Sequence, residues 1–584
     1  MTRKAETWPN LVSMFFDQAE QGGNAPFLWA RHDGLYVSLS WAQTAIEVSQ
    51  LARGLKSLGV GPSDRVLLIS ENRPEWLIAD IAIMAIGAIS VPGYITNTEA
   101  DHRYLMENSG AKAAIVSSAK LFDRVLAAAV KASTLKDIIT IEKPGARQNV
   151  GISLHLWNEI LERGSKTHES ISAQAEFLKR DQTACIIYTS GTGGAPKGVM
   201  LHHGAILHNC TGARDALSEL GLGDEVFLSF LPLSHSYEHT AGQFFPISIG
   251  AQIYYSEADT LAANMITARP TIMTAVPRLY ETLHSRITRG VKNQGGLKEK
   301  LFNKTLQLGL DKIHNNGLGP LDSILNGALS LLVRKKVKAR FGGRLKALVS
   351  GGAPLNPDIG LFFQSLGLCI LQGYGQTESG PVISVNLPSN IKMDTVGPPM
   401  TDVSLKIAAD GEILARGELV MQGYWMNEQA SAESIQDGWL HTGDIGHIDE
   451  QGRLLITDRK KDIIVNSGGD NIAPQRVEGA LTLEPEIAQA MVFGDKRPHL
   501  VAILVADPEW LEQWTFASDE DIHKAMGLVI ERINANLSNI ERVRRFIIAE
   551  APFTIDNALM TPSMKIRRHK IVEVYGERLQ ALYG

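Results

Sequence analysis

Short apolar runs alternate with amphipathic stretches along most of the chain. The run at 66–70 precedes an amphipathic segment at 73–87, and similar runs lie at 113–116 and 137–141. Continuous apolar strands separated by helical patterns are typical of parallel sheets that helices cover on both faces. We therefore predict an α/β fold with parallel sheets for the chain up to about residue 395.

The pattern changes twice in the second half of the chain. Short alternating strands with glycine turns, at 404–407, 411–413 and 417–421, predict a small β-barrel-like subdomain, and the charged run 458–462 indicates a linker. The domains predicted are an N-terminal domain at 1–458, with a basic helical insert at about 286–346 and a β-rich subdomain at about 395–458, and a small α+β C-terminal domain at 459–584.

The helical insert is strongly basic. Residues 286–346 contain 14 Lys and Arg but only three acids, a net charge of +11 inside a chain whose total is −6. The densest cluster comprises Arg334, Lys335, Lys336, Lys338 and Arg340, beside the apolar run 328–333. Such a segment favours peripheral contact with an anionic membrane, while a solvated basic helix face and a protein–protein contact remain open alternatives.

Size, charge and the N-terminal sequence limit the class of protein. At 584 residues the chain exceeds one compact core, and its negative net charge argues against nucleic acid as a partner. Asp17 and Glu20 interrupt the region where a signal peptide needs an apolar stretch. The apolar run 81–91 is shorter than a ~20-residue membrane span, so we predict a buried core helix there. We expect a cytoplasmic protein. Peripheral association with the inner face of a membrane remains open, and so does the choice between monomer and homodimer.

A loop rich in glycine and hydroxyl groups follows the apolar strand at 184–188. Its candidate phosphate-binding residues are Thr189, Ser190, Gly191, Thr192, Gly193, Gly194 and Lys197. Backbone N–H groups, hydroxyls and one lysine together suit a polyphosphate. The P-loop signature fails because Gly198 follows Lys197, and the dinucleotide signature fails because Pro196 occupies the place of its third glycine.

This loop resembles the phosphate-binding signature of the adenylate-forming superfamily, which includes acyl- and aryl-CoA synthetases, peptide-synthetase adenylation domains and beetle luciferases. Further segments match in the same order, at 350–355, 372–378, 439–444 and 559–568. The resemblance extends from about Trp41 to Tyr575. The family usually has a second threonine at the position of Gly193, so the second hydroxyl of the loop is missing here.

The resemblance assigns a role to each matching residue. The adenine and ribose residues are Gly352, Ala353, Pro354, Gln372, Gly373, Tyr374, Asp444 and Arg459. Within the catalytic set, Thr377 contacts the α-phosphate, Glu378 holds Mg²⁺ and Lys565 bridges the substrate carboxylate and the α-phosphate. In the family the small C-terminal domain is mobile, and its hinge aligns with Lys461. The glycines Gly468 and Gly469 then border the route for CoA.

Within this superfamily the chain looks most like long-chain fatty acyl-CoA synthetases. The matching segments are 231–239, 276–278 and 492–498, and His235 and Glu238 are the candidate acyl-pocket residues. The implied reaction consumes a fatty acid, ATP and CoA with Mg²⁺, and passes through an acyl-adenylate. Three alternatives remain open: another carboxylic acid, a carrier-protein acceptor and a non-catalytic nucleotide-binding relative.

Overall fold

The computed structural model describes residues 7–132, 134–145, 151–189, 195–315, 317–561 and 565–584. Its strands up to residue 385 are β1 (Pro26–His32), β2 (Leu35–Ser40), β3 (Arg65–Ile69), β4 (Ile89–Pro92), β5 (Ala113–Val116), β6 (Asp137–Thr140), β7 (Ser153–Leu156), β8 (Thr183–Thr189), β9 (Lys197–His202), β10 (Val226–Ser229), β11 (Gln252–Tyr255), β12 (Ile272–Ala275), β13 (Ala347–Ser350), β14 (Ile370–Gly375) and β15 (Val382–Val385). The later strands are β16 (Ser404–Ile407), β17 (Glu412–Arg416), β18 (Gly423–Tyr424), β19 (Ile435–Gln436), β20 (Trp439–Ile448), β21 (Leu454–Arg459), β22 (Ile464–Val465), β23 (Asn471–Ile472), β24 (Ile487–Phe493), β25 (Leu500–Ala506) and β26 (Val543–Ile548).

The α-helices lie between these strands and in the insert. They are α1 (Leu11–Gly22), α2 (Trp41–Ser57), α3 (Pro74–Ala85), α4 (Glu99–Ser109), α5 (Ala119–Ala132), α6 (Trp157–Ser165), α7 (Ile171–Ala175), α8 (His203–Leu217), α9 (Ser236–Glu238), α10 (Phe245–Ser248), α11 (Leu261–Ala268), α12 (Pro277–Gln294), α13 (Gly296–His314), α14 (Pro320–Leu329), α15 (Lys335–Arg340), α16 (Pro357–Ser365), α17 (Glu428–Ser434), α18 (Pro474–Leu481), α19 (Pro508–Glu512), α20 (Asp519–Asn534) and α21 (Arg568–Ala581). Two π-helical turns, His239–Phe244 and Ser330–Arg334, join neighbouring helices.

Two eight-stranded sheets dominate the described chain before residue 425. One has the order β2-β1-β11-β10-β12-β13-β14-β15, and the other β7-β6-β5-β3-β4-β8-β9-β18. The strands are parallel from β1 to β14 in the first sheet and from β7 to β8 in the second. The prediction of an α/β fold with parallel sheets is therefore confirmed. Antiparallel strands occur only at the ends of these two sheets.

Helix α3 lies in a hydrophobic core that also contains residues of both sheets. Every residue of this helix except Glu75 is buried, so its sequence is apolar on all sides rather than on one stripe. The prediction of a single helix at 81–91 is wrong in part. The helix ends at Ala85, Gly87 turns the chain with a left-handed φ of 72°, and β4 begins at Ile89.

The remaining sheets are small. Strands β16, β17, β20 and β19 form one sheet in that order, with β21 added beside β20, in agreement with the predicted β-rich subdomain. The strand predicted at 417–421 is wrong: these residues turn the chain, and the N–H of Val420 donates to the carbonyl of Gly417 at 3.2 Å. Beyond residue 459, the sheet β24-β25-β26 and helices α18 to α21 form an α+β unit with its own apolar cores. The domain boundary at 458 stays a prediction.

The insert consists of α12 to α15. Arg334 does not belong to its free basic surface, contrary to the cluster predicted from the sequence. The side chain is buried and its guanidinium donates to the carbonyls of Ser365 (2.8 Å), Thr305 (3.2 Å) and Asn326 (3.3 Å). It therefore fastens the C-terminal part of the insert to α13 within the insert and to α16 outside it. Within the described ranges, no helix is long and apolar enough to cross a membrane.

Candidate active site

The edge of the first sheet where β13 and β14 end carries the predicted adenine residues. These strands are parallel, with Ser350 opposite Gln372, so the loop 351–354 and Tyr374 leave the sheet at the same edge. In open α/β sheets, ligands bind at this carboxyl edge. Gly352 has a φ of 83°, in the left-handed region that favours glycine, and this residue is exposed.

The other residues predicted for adenine differ in exposure. Ala353 and Pro354 are exposed, and Gly373 is half-buried in β14. Gln372 is buried, and its amide donates to the carbonyl of Met393. The Gln372 side chain thus packs in the protein, and its backbone carbonyl accepts from the N–H of Asn386 at 2.9 Å. Contact between these residues and adenine stays a prediction.

Asp444 is the centre of a three-residue network. It lies directly opposite Arg459 in the β20–β21 pair. The Tyr374 hydroxyl donates to Oδ2 of Asp444 at 2.7 Å, and Nε of Arg459 donates to Oδ1 at 3.1 Å. Burial and the adjacent Asp444 carboxylate raise the pKa of Tyr374. Each carboxylate oxygen retains a lone pair, so the oriented group can accept from two neighbouring hydroxyls, as the predicted ribose contact requires.

A second network joins the catalytic motif to the phosphate loop. Ser236 and Thr377 share a hydrogen bond of 2.9 Å between their hydroxyl oxygens. The Tyr424 hydroxyl donates to Oε1 of Glu378 at 2.8 Å, and the Tyr424 ring centroid lies 4.8 Å from Nζ of Lys197. Sequence reasoning missed Tyr424, because a lone tyrosine in a two-residue strand carries no chemical signature. Its pairing with β9 brings it to the site.

Glu378 has the donor chemistry that Mg²⁺ prefers. Tyr424 orients the carboxylate through Oε1, and among the described residues no hydrogen bond is made to Oε2. Mg²⁺ is commonly bound through one or two carboxylates together with substrate phosphates. No group of three or more acidic, His or Cys side chains suited to a metal occurs in the described ranges. The Mg²⁺ role of Glu378 stays a prediction.

The ends of the phosphate loop are held together. Thr189 closes β8 and pairs with Lys197, the first residue of β9. The intervening predicted phosphate contacts, Ser190, Gly191, Thr192, Gly193 and Gly194, lie outside the described residues. The described ends place Lys197 over the ring of Tyr424, whose hydroxyl donates to Glu378.

Lys565 reaches this site from the C-terminal unit. The residue keeps exposed surface, yet the protein around its ammonium group and the positive charge of Arg459 lower the pKa to about 8. Asp444 and Glu378 are near enough to oppose that shift. The structure therefore places Lys565, the predicted adenylation lysine, near the predicted ribose pair Asp444–Arg459 and near Glu378, although these residues are far apart in sequence.

Glu238 lies in α9, and His235 caps the N-terminus of this short helix near Lys565. Burial and the nearby charge of Lys565 lower the pKa of His235 to about 4, so its imidazole is neutral at pH 7. Glu238 is fully buried and accepts hydrogen bonds from the hydroxyls of Ser229 and Thr274, both at 2.6 Å. Burial raises the pKa of Glu238 to about 7. Glu238 thus ties β10 to β12, and the acyl-pocket role of both residues stays a prediction.

The linker and the predicted CoA route follow β21. The N–H of Asp462 donates to the carbonyl of Arg459 at 2.9 Å, so Lys461 lies within a tight turn. Gly469 has a φ of 86° and, with Gly468, forms an exposed loop. A cavity of about 450 Å³ adjoins this loop and is lined by polar groups that include Arg544. The hinge and CoA-route assignments stay predictions.

The fold and these networks define a nucleotide-binding α/β enzyme with a separate C-terminal unit. The chain belongs to the AMP-binding enzyme family: the model of that family matches residues 15–425, and the model of the AMP-binding enzyme C-terminal domain matches residues 461–584. The resemblance inferred from the motifs is thereby confirmed.

Similar proteins cover nearly the whole chain. The long-chain-fatty-acid–CoA ligase FadD15 of Mycobacterium tuberculosis (strain ATCC 25618 / H37Rv) is 32% identical, over 98% of this chain and 97% of its own length. The chloroplastic long-chain-fatty-acid–[acyl-carrier-protein] ligase AEE15 of Arabidopsis thaliana is 28% identical, over 100% of this chain and 88% of its own. The A-PCP didomain of a carboxylic acid reductase from Segniliparus rugosus, solved in complex with AMP, has the same fold, with a TM-score of 0.78, 21% identity and coverage of 98% and 82%.

Proposed function

We propose that this chain is an AMP-forming acyl-CoA ligase that activates long-chain fatty acids. The observation that carries the proposal is the convergence of Lys565, Glu378 and the Asp444–Arg459 pair at one sheet edge. A carboxylate oxygen of the acid attacks the α-phosphate of ATP, a P–O bond forms and pyrophosphate departs. The thiol of CoA then attacks the carbonyl carbon, loses its proton and releases AMP, giving the thioester.

The residues act by positioning and by charge. Asp444, held by Tyr374 and Arg459, would fix the ribose, and the hydroxyl of Thr377 would contact the α-phosphate. Lys565 neutralises the approaching carboxylate and the α-phosphate oxygens, where a preorganised charge stabilises the transition state. Glu378 would hold Mg²⁺, which offsets the charge of the phosphates when bound. Lys197 would contact the departing pyrophosphate, since it lies at the end of the phosphate loop.

Long-chain fatty acids are the substrate class that the relatives favour. FadD15, at 32% identity over nearly the full chain, carries that specificity in its name. AEE15 favours a second candidate, in which a carrier protein replaces CoA as the acceptor, because it is 28% identical over the whole chain. Both candidates share the adenylation step and differ only in the thiol that follows.

A panel of acids separates these candidates. We expect pyrophosphate release to be highest with palmitate or oleate and low with acetate or benzoate. Acyl thioester should form with CoA and not with holo acyl-carrier protein. Pyrophosphate and thioester are measured in parallel, so the adenylation and the thioester-forming half-reactions are both checked. Maximal turnover with a short or aromatic acid would refute the long-chain assignment, thioester formation with the carrier protein alone would favour the second candidate, and absence of pyrophosphate with every acid would contradict an adenylating enzyme.

The pKa of Lys565 predicts a specific pH dependence. Because its folded pKa is lowered to about 8, the ammonium group loses its proton as pH rises through that value. The ratio kcat/KM for pyrophosphate release reports the free enzyme, so it should fall above about pH 8. In Lys565→Arg, the guanidinium stays charged, and this alkaline decline should disappear even if activity is lower. A wild-type decline that starts only above about pH 10, the range of an ordinary lysine, would contradict this origin.

A further inference from the structure

An exposed apolar stripe follows the outer side of the insert. Helix α14, the π-helical turn Ser330–Arg334 and α15 form one continuous helix from residue 320 to 340. The stripe consists of Leu321, Ile324, Leu325, Leu331 and Leu332, which are 84%, 74%, 40%, 70% and 54% exposed. Their spacing of three, four and seven residues places them on one side of the helix. We call these five residues the outer stripe.

The opposite side of the same helix is firmly packed. Leu329 is buried, and the guanidinium of Arg334 donates to the backbone carbonyls of Thr305 in α13 and Ser365 in α16, and to that of Asn326 in its own helix. The helix is thus held in place through one side, while the outer stripe remains in solvent. An apolar surface of this kind, rimmed by polar residues, is typical of a protein or membrane contact.

Free positive charges continue the outer stripe at its C-terminal end. Lys335, Lys336, Lys338 and Arg340 are exposed, and within the described ranges none of their side chains forms an ion pair. Two basic residues near the ends of the insert do form ion pairs. Arg289 pairs with Glu509, and Lys346 pairs with Glu225 at 2.5 Å. Four exposed basic side chains without an ion pair in the described ranges therefore lie within residues 335–340, directly after the outer stripe.

We propose that the outer stripe and its four free basic residues bind the surface of an anionic membrane. An amphipathic helix that lies in the membrane interface buries its apolar face among the acyl chains, while its Lys and Arg side chains contact anionic headgroups. The insert presents both features on one exposed surface. A protein partner would have to supply an apolar groove together with several acids, whereas an anionic bilayer supplies both over its whole area. This surface does not depend on the acid or the acceptor that the enzyme uses.

Co-sedimentation of the full chain with vesicles tests the surface. We expect binding to phosphatidylglycerol/phosphatidylcholine vesicles at low salt, and weak binding at high salt or to phosphatidylcholine alone, since salt screens exposed charges. The triple variant Lys335→Glu, Lys336→Glu, Lys338→Glu should lower the affinity by at least about tenfold, because each basic residue near an anionic surface adds to binding. The matched control Lys120→Glu, Lys136→Glu, Lys179→Glu changes the net charge equally, at exposed lysines outside the insert, and should bind nearly as wild type.

A second pair of variants tests the apolar part. Leu321→Ser with Ile324→Ser should release the chain from anionic vesicles. The control is the double variant Phe516→Ser, Leu528→Ser in the C-terminal unit, where the two apolar side chains are 103% and 64% exposed. This control should bind the vesicles normally. Thermal melting confirms that each variant is folded. The proposal is overturned by absence of binding to anionic vesicles at low salt, by equal losses in variant and control, or by self-association of the free chain through the outer stripe without vesicle binding.

Discussion

Lys565→Ala should lower the rate of pyrophosphate release by about 10²-fold or more, the range found when one preorganised charge donor is removed from an active site. The reason is geometric: Lys565 is the group from the C-terminal unit whose charge is near Asp444, Arg459 and Glu378. Formation of thioester from preformed acyl-adenylate should be largely retained, because that step needs CoA where Lys565 had been. The two half-reactions are measured separately, with ATP and acid or with synthetic acyl-adenylate and CoA.

Lys570→Ala is the matched control for this change. Lys570 lies five residues further on, and its ammonium group pairs with Glu573 at 2.7 Å. Its removal should leave both half-reactions near the wild-type rate. If Lys565→Ala slowed both half-reactions equally, Lys565 would act in folding or substrate binding rather than in adenylation.

Lys461→Pro should impair thioester formation and spare adenylation, the reverse of the effect expected for Lys565→Ala. Proline fixes φ and restricts the preceding residue, so the turn after Arg459 loses the freedom that a domain rotation requires. Among the described residues, the N–H of Lys461 donates to no carbonyl, so no hydrogen bond is lost in the observed state. We expect near-normal pyrophosphate release and a loss of acyl-CoA production of at least about tenfold.

Lys461→Ala distinguishes the backbone effect from the loss of the side chain. This variant keeps the rotational freedom of the turn and should form acyl-CoA at nearly the wild-type rate. Unchanged turnover in Lys461→Pro would place the hinge elsewhere. An equal loss in both variants would assign the effect to the lysine side chain instead.

The parallel sheets were predictable because strands buried on both faces are apolar throughout. The predicted run 66–70 differs from β3 by one residue at each end. The predictions failed where apolar character alone does not distinguish conformations. The run 81–91 contains a helix and a strand, separated at Gly87, and the segment 417–421 turns where a strand was expected.

The candidate site was likewise predictable only in part. Motif resemblance identified Asp444, Arg459 and Lys565, but only the β20–β21 register and the packing of the C-terminal unit bring them together. Tyr424 had no signature, because its role comes from its position next to β9. Arg334 appeared to be a surface charge within a basic run, and the backbone carbonyls that bury it belong to distant residues. Contacts of this kind depend on tertiary structure and not on local pattern.

The position of Arg459 decides which residues a rotation at the predicted hinge would move. Its backbone belongs to the last residue pair of the β20–β21 register, and its side chain donates to the carboxylate of Asp444. The predicted pivot, Lys461, lies two residues downstream, so a rotation there would carry Lys565 away and leave the Asp444–Arg459 pair with the larger part of the chain. The adenylate would then remain anchored by its sugar while the faces presented to its carbonyl are exchanged, and the intermediate need not leave the protein between the two chemical steps.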